Sequence, residues 1–362
     1  MITYIFFFFC IWLCLISSFR PQRELRFFAF FLIVLLAAFF VGLRGDVGVD
    51  DLGYLKYFRE TGSIDQVLFG SEGYWNIPRA YEPGFYYLMS VFKLFSEDFL
   101  VFKLFLAIST LGLVAYSYTR MTELYLIAFA MFLSLLLLAI AMHQIRNGLA
   151  MSLGLLAISF LIERRWVVFY CLVIFAFSIH FSALILLVCP IVLSNRFNNL
   201  GVFICIFGAL VFKFLGGFTA LLELVLGNGI NNILLAKISG KFNDPDYYGS
   251  SIVFGLGFVK AFLIVSLCMY LRWKRVLTDK MQLLFKCYAL GFCCFIALSD
   301  IGIFAVRAFR YFLIFEPVLI AYILSKFKPT LFVYIVTALY FLLYVYKDRH
   351  LLSDHPYSFG LL

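Results

Sequence analysis

The densest group of chemically useful side chains lies between residues 42 and 58, in the sequence GLRGDVGVDDLGYLKYF. It contains one arginine, Arg44, and three carboxylates, Asp46, Asp50 and Asp51. Its glycines allow tight left-handed turns, so the charged side chains can be gathered close together. A carboxylate beside a cation can act as a general base when its pKa and geometry suit. The segment is therefore a candidate catalytic segment.

Histidines and arginines inside apolar runs form a second group of candidates, because ionisable groups there are costly and are functional by default. His143 and Arg146 are three residues apart, as are Arg307 and Arg310, so each pair should share a helix face. Arginine suits bidentate phosphate binding and stays charged when desolvated. The group predicts an anionic ligand, although a lone arginine can also just snorkel or pair with a carboxylate. His180 is a further candidate base.

Four other ionisable residues lie in or beside the apolar runs. Asp300 is seven residues before Arg307 and falls on the same helical stripe. Glu316 precedes a proline, which should interrupt its helix because proline frees a backbone carbonyl. Lys213 and Lys260 are expected only to snorkel.

The composition is that of a membrane protein. The 362 residues are 64% hydrophobic and 14% charged, whereas ordinary globular domains carry roughly 25% charged residues. Apolar runs near twenty residues recur from one end of the chain to the other, and a run of that length can cross about 30 Å of hydrocarbon. Runs such as LYLIAFAMFLSLLLLAIA do not alternate apolar and polar residues, which excludes a β-barrel. The sequence predicts an all-α polytopic membrane protein.

The apolar runs predict about twelve transmembrane helices. Their predicted limits are residues 2–19, 27–43, 99–119, 124–142, 147–162, 166–178, 181–194, 200–218, 251–271, 281–298, 303–325 and 329–346. The segment 83–95 is short for a crossing and contains a lysine, so it is expected to be re-entrant or interfacial. No soluble domain or repeat is recognisable, and residues 1–362 are predicted to form a single transmembrane domain.

The basic residues predict the orientation. With both termini outside, the short inward connectors are richer in Lys and Arg than the outward segments, as the positive-inside rule requires. The polar loops 44–82 and 219–250 then face outward, and the tip of a short hairpin at 178–182 reaches the same face.

Other classes of ligand find no support in the residue pattern. The net charge is +9, but Lys and Arg are scattered singly between apolar runs, which argues against a nucleic-acid partner. The nine cysteines lie inside apolar runs without metal-ligand spacing. We expect no metal and no cofactor.

The candidate residues fall within a series of short motifs. VGLRGDVGVDDLGYLKYF at 41–58 resembles the signature of the EpsG-type O-antigen and exopolysaccharide polymerases, of the Wzy class, with Val49 where that family usually has threonine. Further matching elements follow in the same order: YEPGFYYLMSVF at 81–92, IRNGLAMSLGLLAISFLIERR at 145–165, SIHFSALILL at 178–187, RAFRYF at 307–312 and HPYSF at 355–359. The resemblance covers nearly the whole chain.

This resemblance implies a glycosyltransferase at the outer face of the bacterial inner membrane, in the synthesis of lipopolysaccharide O antigen, capsule or exopolysaccharide. It would transfer the growing glycan from undecaprenyl pyrophosphate to a sugar hydroxyl of a new lipid-linked repeat unit, with inversion. Its architecture would resemble the multi-helix lipid-linked glycosyltransferases of the GT-C type. Membrane lipid and a chain-length regulator would be its other partners.

The resemblance also assigns roles. Four arginines are predicted to bind the pyrophosphate: Arg44, Arg146, Arg307 and Arg310. Asp50 matches the family's Gly-x-Asp and is the first candidate base, while Asp46 is expected to pair with Arg44 and Asp51 to repel Asp50. His143 and His180 are the reserve bases. The predicted sugar-binding residues are Tyr54, Tyr81 and Glu82.

Two other functions fit part of the pattern. A flippase or exporter of lipid-linked oligosaccharide would also need intramembrane arginines, but such transporters often carry internal repeats. A membrane O-acyltransferase could use His143 or His180 as its catalytic residue. It would leave the arginine and aspartates of residues 44–51 unexplained.

Overall fold

The structure is a computed structural model that describes residues 2–18, 22–45, 48, 50–69, 82–193, 197–217, 220, 255–299, 302–326, 330–347, 357–358 and 360. Asp46, Tyr81, Asp300 and nearly all of the 219–250 loop lie outside these residues. Regular structure in the described part is helical, except for one short backbone pairing near Arg44. Contacts divide the chain into two compact units, Met1–Leu184 with Ile320–Leu362, and Ile185–Leu319.

The first unit holds the N-terminal helices and the last one. In chain order they are α1 (Ile2–Ser18), α2 (Arg23–Gly42), α3 (Asp51–Glu60), α4 (Ile64–Phe69), α5 (Pro83–Phe92), α6 (Phe99–Met121), α7 (Tyr125–Leu135), a π-helix (Leu137–His143), α8 (Ile145–Ile162) and α9 (Trp166–Ile179), with α15 (Thr330–Lys347) at the end. A 3₁₀ helix, Phe181–Leu193, follows α9. α8 packs against α6 and α9, and 83% of its membrane-length window is buried. It is the central helix of this unit.

The second unit is built around one helix. Its elements are α10 (Asn199–Phe214), α11 (Leu256–Trp273), α12 (Asp279–Ala297) and α13 (Gly302–Leu313), and α14 (Glu316–Leu324) follows. The helices α10, α11 and α13 all pack against α12. α13 ends just before Glu316, as the Glu-Pro pair predicts, because proline is tolerated only in the first turn of a helix.

In the part of the chain that the structure describes, four helices are long and apolar enough to cross a membrane: α2, α6, α8 and α12. Several shorter apolar helices accompany them in the described residues. The chain is a multi-pass helical membrane protein, as its composition predicts. The number of about twelve crossings and the GT-C architecture stay predictions.

The predicted helix 124–142 differs from what the structure shows. The span 124–142 is not one α-helix, because α7 ends at Leu135 and a π-helix continues to His143. The chain then breaks at Gln144, which has φ −117° and ψ 59°. The expectation that His143 and Arg146 share one helix face is therefore wrong, since they lie in different elements.

The described part of the loop 44–82 is more ordered than its polar sequence suggests. It contains α3 and α4, and α5 follows directly after it. α5 has ten residues, about 15 Å, which is half the thickness of the hydrocarbon core. A helix of this length is short for a crossing, and the re-entrant or interfacial placement of the segment 83–95 stays a prediction.

An aromatic cluster fixes α3 and α5 against α6. The ring of Phe102 on α6 lies 5.0 Å from those of both Phe58 and Phe92, and Phe85 also contacts it. Phe58, Phe85 and Phe102 are fully buried or nearly so. Aromatic pairs of this kind add about 0.5–1.5 kcal/mol beyond their burial. The cluster thereby positions the two helices that carry the candidate site.

Candidate functional site

A buried arginine terminates α2. The helix stops at Gly42, and a helix end leaves its last carbonyl groups without intrahelical donors. Arg44 folds back, and its Nη1 donates to the Val41 carbonyl oxygen at 2.7 Å. Its Nη2 donates to Asp51 Oδ1 and to the Met142 carbonyl oxygen, both at 2.7 Å. The Arg44 and Asp51 side chains are 0% exposed, so they form a fully buried salt bridge.

The turn between Arg44 and Asp51 depends on a glycine. Gly48 N donates to Asp51 Oδ2 at 2.9 Å, and Asp51 N donates to Gly48 O at 3.0 Å. A Cβ on Gly48 would lie 2.6 Å from the Met142 carbonyl oxygen, which leaves no room for another residue. The sequence-based expectation named Asp46 as the partner of Arg44. Asp46 lies outside the described residues, so that pairing stays a prediction. Among the described residues Arg44 pairs with Asp51, because the turn at Gly48 brings the start of α3 back over Arg44.

The C-terminal residues pair with the end of α2. Gly45 N donates to the Ser358 carbonyl oxygen, and Gly360 N donates to the Leu43 carbonyl oxygen, both at 2.8 Å. This exchange is the pattern of two antiparallel strands. Tyr357 and Ser358, the described residues of the motif HPYSF, therefore lie beside the segment that begins with Arg44.

Two further side chains, those of Tyr357 and Lys103, bond to the end of α2. We call these contacts, together with the backbone pairing of Gly45 with Ser358 and of Leu43 with Gly360, the C-terminal clasp. The Tyr357 hydroxyl donates to the Phe40 carbonyl oxygen at 2.8 Å, and the two rings stack 4.1 Å apart. Burial raises the pKa of Tyr357 to about 12, and nearby Arg44 opposes the shift. Lys103 Nζ donates to the carbonyl oxygens of Arg44 at 2.9 Å and Gly45 at 3.0 Å. The carbonyl groups around the end of α2 are thus satisfied by side chains from distant parts of the chain.

A second arginine–carboxylate pair lies nearer the solvent. Arg146 belongs to the first turn of α8, and Glu82 immediately precedes α5. Arg146 Nη1 forms a salt bridge with Glu82 Oε2, and the two side chains are 16% and 18% exposed. Glu82 Oε1 accepts a hydrogen bond from Phe181 N at 2.9 Å. The pair therefore joins α5, α8 and the chain after α9 without being sealed from solvent.

Tyr54 connects this pair to the candidate base. The side chain is buried, and burial raises its pKa to about 12. The positive charge of Arg146 opposes this shift, whereas the negative charge of Asp50 reinforces it. Asp50 itself is exposed at the start of α3, whereas its neighbour Asp51 is buried. Of these two aspartates, only Asp50 is accessible to a substrate.

Both reserve histidines are buried close to these groups. His143 ends the π-helix, directly after Met142, whose carbonyl oxygen binds Arg44. His180 lies in the break between α9 and the 3₁₀ helix, and its Nδ1 accepts from Ser182 N at 3.3 Å. The predicted interruption at 178–182 is confirmed, whereas its place at the outer face stays a prediction.

The other two candidate arginines lie in the second unit. Arg307 and Arg310 are both on α13 and both half-buried. The prediction that they share one helix is confirmed. Their convergence with the arginines of the first unit on one ligand stays a prediction.

The second unit also contains a buried carboxylate with two partners. Glu316 is 0% exposed, and its Oε2 accepts from the Tyr288 hydroxyl at 2.7 Å. Lys260 Nζ lies 2.6 Å from Glu316 Oε1. The expectation that Lys260 only snorkels is therefore wrong, because this lysine compensates the charge of a buried glutamate.

Sequence reasoning missed several groups that build the site. Lys103 carried a usable signal, since a lysine within a predicted span is costly unless it is paired. The pairing of Arg146 with Glu82 joins residues 64 positions apart and had no local signature. The Met142 carbonyl is a backbone group and carries no sequence signal at all.

Together, the fold and the site define a multi-pass helical membrane protein with clustered arginine–carboxylate pairs at one end of its helices. The model of the EpsG family matches residues 27–359, and the chain belongs to this family. The predicted resemblance is thus confirmed.

One curated relative is similar over most of its length. It is the amylovoran biosynthesis protein AmsC of Erwinia amylovora, which is 26% identical over 309 residues, covering 83% of this chain and 80% of that protein. No solved structure matches the chain significantly.

Proposed function

We propose that this chain is a polysaccharide polymerase that joins lipid-linked repeat units at the outer face of a bacterial inner membrane. Its membership of the EpsG family and its similarity to a protein named for amylovoran biosynthesis support a role in polysaccharide synthesis. The observation that carries the proposal is the partly exposed Arg146–Glu82 pair beside Tyr54 and the accessible Asp50.

Arg146 is the proposed ligand for the pyrophosphate of the lipid carrier. Its guanidinium has the planar fork that binds phosphate bidentately, and a pyrophosphate can displace Glu82 from a pair that solvent already reaches. Arg44 does not fit the role assigned by resemblance, because its guanidinium is buried and bonded to Asp51, Val41 and Met142. We assign Arg44 to holding the catalytic segment. Arg307 and Arg310 remain proposed ligands of a pyrophosphate.

An apolar groove suits the polyprenyl chain of such a carrier. It has a volume of about 530 Å³ and is lined by Ile5, Phe6, Phe9, Leu36, Phe39, Phe40 and Leu43, on α1 and α2. Several of these side chains are more than 40% exposed, as expected for a surface that faces lipid. The groove runs to Leu43, directly beside the segment that begins with Arg44. A carrier lying in it would bring its pyrophosphate to the candidate site.

The proposed reaction is a single displacement at the anomeric carbon of the growing glycan. The bond from this carbon to the pyrophosphate oxygen breaks as the bond to the acceptor hydroxyl oxygen forms. Asp50 accepts the hydroxyl proton, and Arg146 stabilises the negative charge that develops on the leaving pyrophosphate. One displacement inverts the anomeric configuration and needs no second carboxylate as nucleophile.

Sugar binding is assigned to groups around the same pair. Aromatic side chains can stack on sugar faces, and Tyr81, which precedes Glu82 in the sequence, keeps that proposed role. Tyr54 is buried and is assigned to supporting the pair instead. Glu82 would exchange its bond to Arg146 for hydrogen bonds to sugar hydroxyls when the pyrophosphate arrives.

The direct test uses purified protein reconstituted in vesicles with a lipid-linked repeat unit. The proposal expects a ladder of longer glycans attached to lipid. Movement of the repeat unit across the bilayer without lengthening would identify a flippase instead, and an acylated product would identify an acyltransferase. Either result without a glycan ladder would overturn the proposal.

A further inference from the structure

An exposed aromatic ring is attached to the Arg146–Glu82 pair. Phe181 N donates to Glu82 Oε1 at 2.9 Å, and Glu82 Oε2 forms the salt bridge with Arg146 Nη1. Phe181 is 48% exposed, although the residue before it, His180, is only 5% exposed. The chain thus passes from a buried imidazole to an open phenyl ring directly beside the arginine that is proposed to bind pyrophosphate.

Stacking on His180 sets the orientation of this ring. The centroids of the His180 and Phe181 rings are 5.3 Å apart, and their planes differ by 15°. The imidazole is itself held in place, because its Nδ1 accepts from Ser182 N at 3.3 Å. One face of the Phe181 ring therefore lies against His180, and its exposed surface is mainly that of the opposite face and the ring edge.

The packing of α5 against the end of α9 keeps the ring beside Glu82. Gly84, two residues after Glu82, lies directly against Ser178, and a Cβ at this glycine would overlap the hydroxyl and carbonyl groups of that serine. The hydrogen bond from Phe181 N to the Glu82 carboxylate adds a direct link between the same two segments. The ring and the carboxylate are thus held together before any substrate arrives.

An aromatic face beside a carboxylate is suited to a sugar. The C–H bonds on one face of a pyranose carry partial positive charge, and the face of an aromatic ring carries partial negative charge. The hydroxyl groups at the rim of the same pyranose can donate to carboxylate oxygens. Glu82 can turn its Oε2 towards such hydroxyls while its Oε1 keeps the bond to Phe181 N, so the ring stays in place when the substrate binds.

Exposure alone would equally suit a ring that faces lipid. Phe175 and Phe177 on α9 are 51% and 40% exposed, as expected of membrane-facing side chains. Phe181 differs from them because its own N–H is bonded to the carboxylate that pairs with Arg146. Of the two groups that flank a pyrophosphate bound at Arg146, the sugar has hydroxyl groups for this carboxylate and the polyprenyl chain has none. The sugar is therefore the group expected beside the ring.

We propose that Phe181 is a sugar-binding residue, whose ring stacks on the apolar face of the pyranose attached to the lipid pyrophosphate. The proposal rests on the proposed function, because it takes the pyrophosphate to bind at Arg146. An axial hydroxyl on the stacked face would hold a pyranose away from the ring. Phe181 thus also contributes to the choice of the first sugar.

The test measures the binding of two probes to the purified full chain in detergent. One probe is the lipid-linked repeat unit, and the other is the same polyprenyl pyrophosphate without sugar. Phe181→Leu should bind the sugar-bearing probe about three- to tenfold more weakly, the effect of losing one aromatic contact. It should bind the sugar-free probe like the wild type. Phe181→Tyr keeps the ring and should bind both probes like the wild type.

The matched control is Phe177→Leu, which makes the same substitution at an exposed phenylalanine in the last turn of α9. It should bind both probes like the wild type. Phe181→Met, which also removes the ring, is the second variant if Phe181→Leu does not fold. Thermal midpoints without ligand establish that each variant is folded.

Three results would overturn the proposal. They are wild-type binding of the sugar-bearing probe by the variants without the ring, equal weakening for both probes, and binding by Phe181→Tyr that is no better than by Phe181→Leu. Equal weakening would place the polyprenyl chain on the ring.

Polymer formation is measured separately on the same preparations. A wild-type protein that binds the repeat unit but forms no polymer would overturn the proposed function, while the comparison of probes still decides the role of Phe181. Binding of neither probe by the wild type would overturn both.

Discussion

Two arginine–carboxylate pairs in the first unit use the same chemistry in different surroundings. The Arg44–Asp51 pair is completely buried, and its hydrogen bonds are directed at the end of α2 and at the Met142 carbonyl. The Arg146–Glu82 pair is 16% and 18% exposed, and it lies beside Tyr54 and the exposed Asp50. Burial decides what each pair can do, since a substrate can reach only the second.

The two pairs also differ in the energetics of their charges. Two charges removed from water lose several kcal/mol of hydration each, and only good geometry with further hydrogen bonds compensates this loss. Arg44 and Asp51 satisfy that condition through three neighbouring backbone groups, those of Val41, Gly48 and Met142. A partly solvated pair is held more weakly and can exchange its partner. We therefore regard the first pair as structural and the second as the ligand site.

The largest effect on stability is expected from breaking the buried pair. Arg44→Met should lower the free energy of unfolding by about 3–5 kcal/mol, because it leaves Asp51 charged and buried. Replacing both partners, Arg44→Met/Asp51→Leu, should recover part of this loss since no uncompensated charge remains. Thermal unfolding in detergent measures both. An unchanged midpoint in the single variant would contradict the structural role of the pair.

A large effect on activity with little effect on stability is expected at Asp50. Asp50→Asn removes the proposed base from an exposed position, so turnover should fall by roughly 10² to 10⁴ while the protein stays folded. The control is Asp65→Asn, a carboxylate on α4 outside the pairs described above, which should polymerise normally. Wild-type turnover in Asp50→Asn would transfer the role of base to His143 or His180.

A moderate effect is expected where the C-terminal residues support the buried pair. Tyr357→Ala loses both the stack on Phe40 and the hydrogen bond to its carbonyl oxygen, which should cost about 2 kcal/mol of stability. Tyr357→Phe keeps the stack and should cost about half as much. Comparing the thermal midpoints of the two variants separates the stability contributed by ring stacking from that contributed by the hydroxyl hydrogen bond. Equal midpoints for Tyr357→Ala and the wild type would mean that the clasp adds nothing to stability.

The smallest effect is expected at Tyr54, and it depends on pH. The folded state raises the pKa of Tyr54 from 10.0 to about 12, so folding favours the neutral phenol. Its contribution to stability is fully present below pH 10.0 and is lost as the pH rises towards 12. Tyr54→Phe should therefore lose less stability than the wild type across this interval, with little change at neutral pH. Parallel pH profiles of the two proteins would contradict the assignment.

The sequence predicted the limits of several helices well where the signal was a continuous apolar run. The limits predicted for the spans at α1, α9 and α12 differ from the structure by no more than two residues. Less was predictable where a polar sequence folds through tertiary contacts. α3 and α4 carry no long apolar run, and aromatic packing of Phe58 on Phe102 stabilises α3.

The candidate residues were easier to predict than their partners. Residue type and position were enough to select Arg44 and Arg146, since charged groups beside apolar runs are informative. Which carboxylate pairs with which arginine depends on the turn at Gly48 and on the approach of α5 to α8. These are properties of the folded chain, and no local pattern encodes them.

The most direct test of the account compares Arg146→Gln with Arg44→Met/Asp51→Leu in the polymerisation assay, at equal amounts of folded protein. We expect Arg146→Gln to keep the wild-type thermal midpoint and to lose turnover by roughly 10² to 10³, because it removes a donor to the leaving pyrophosphate. The double variant should keep most of its turnover per folded molecule. Full activity in folded Arg146→Gln, together with inactivity of the folded double variant, would contradict the assignment of the two pairs.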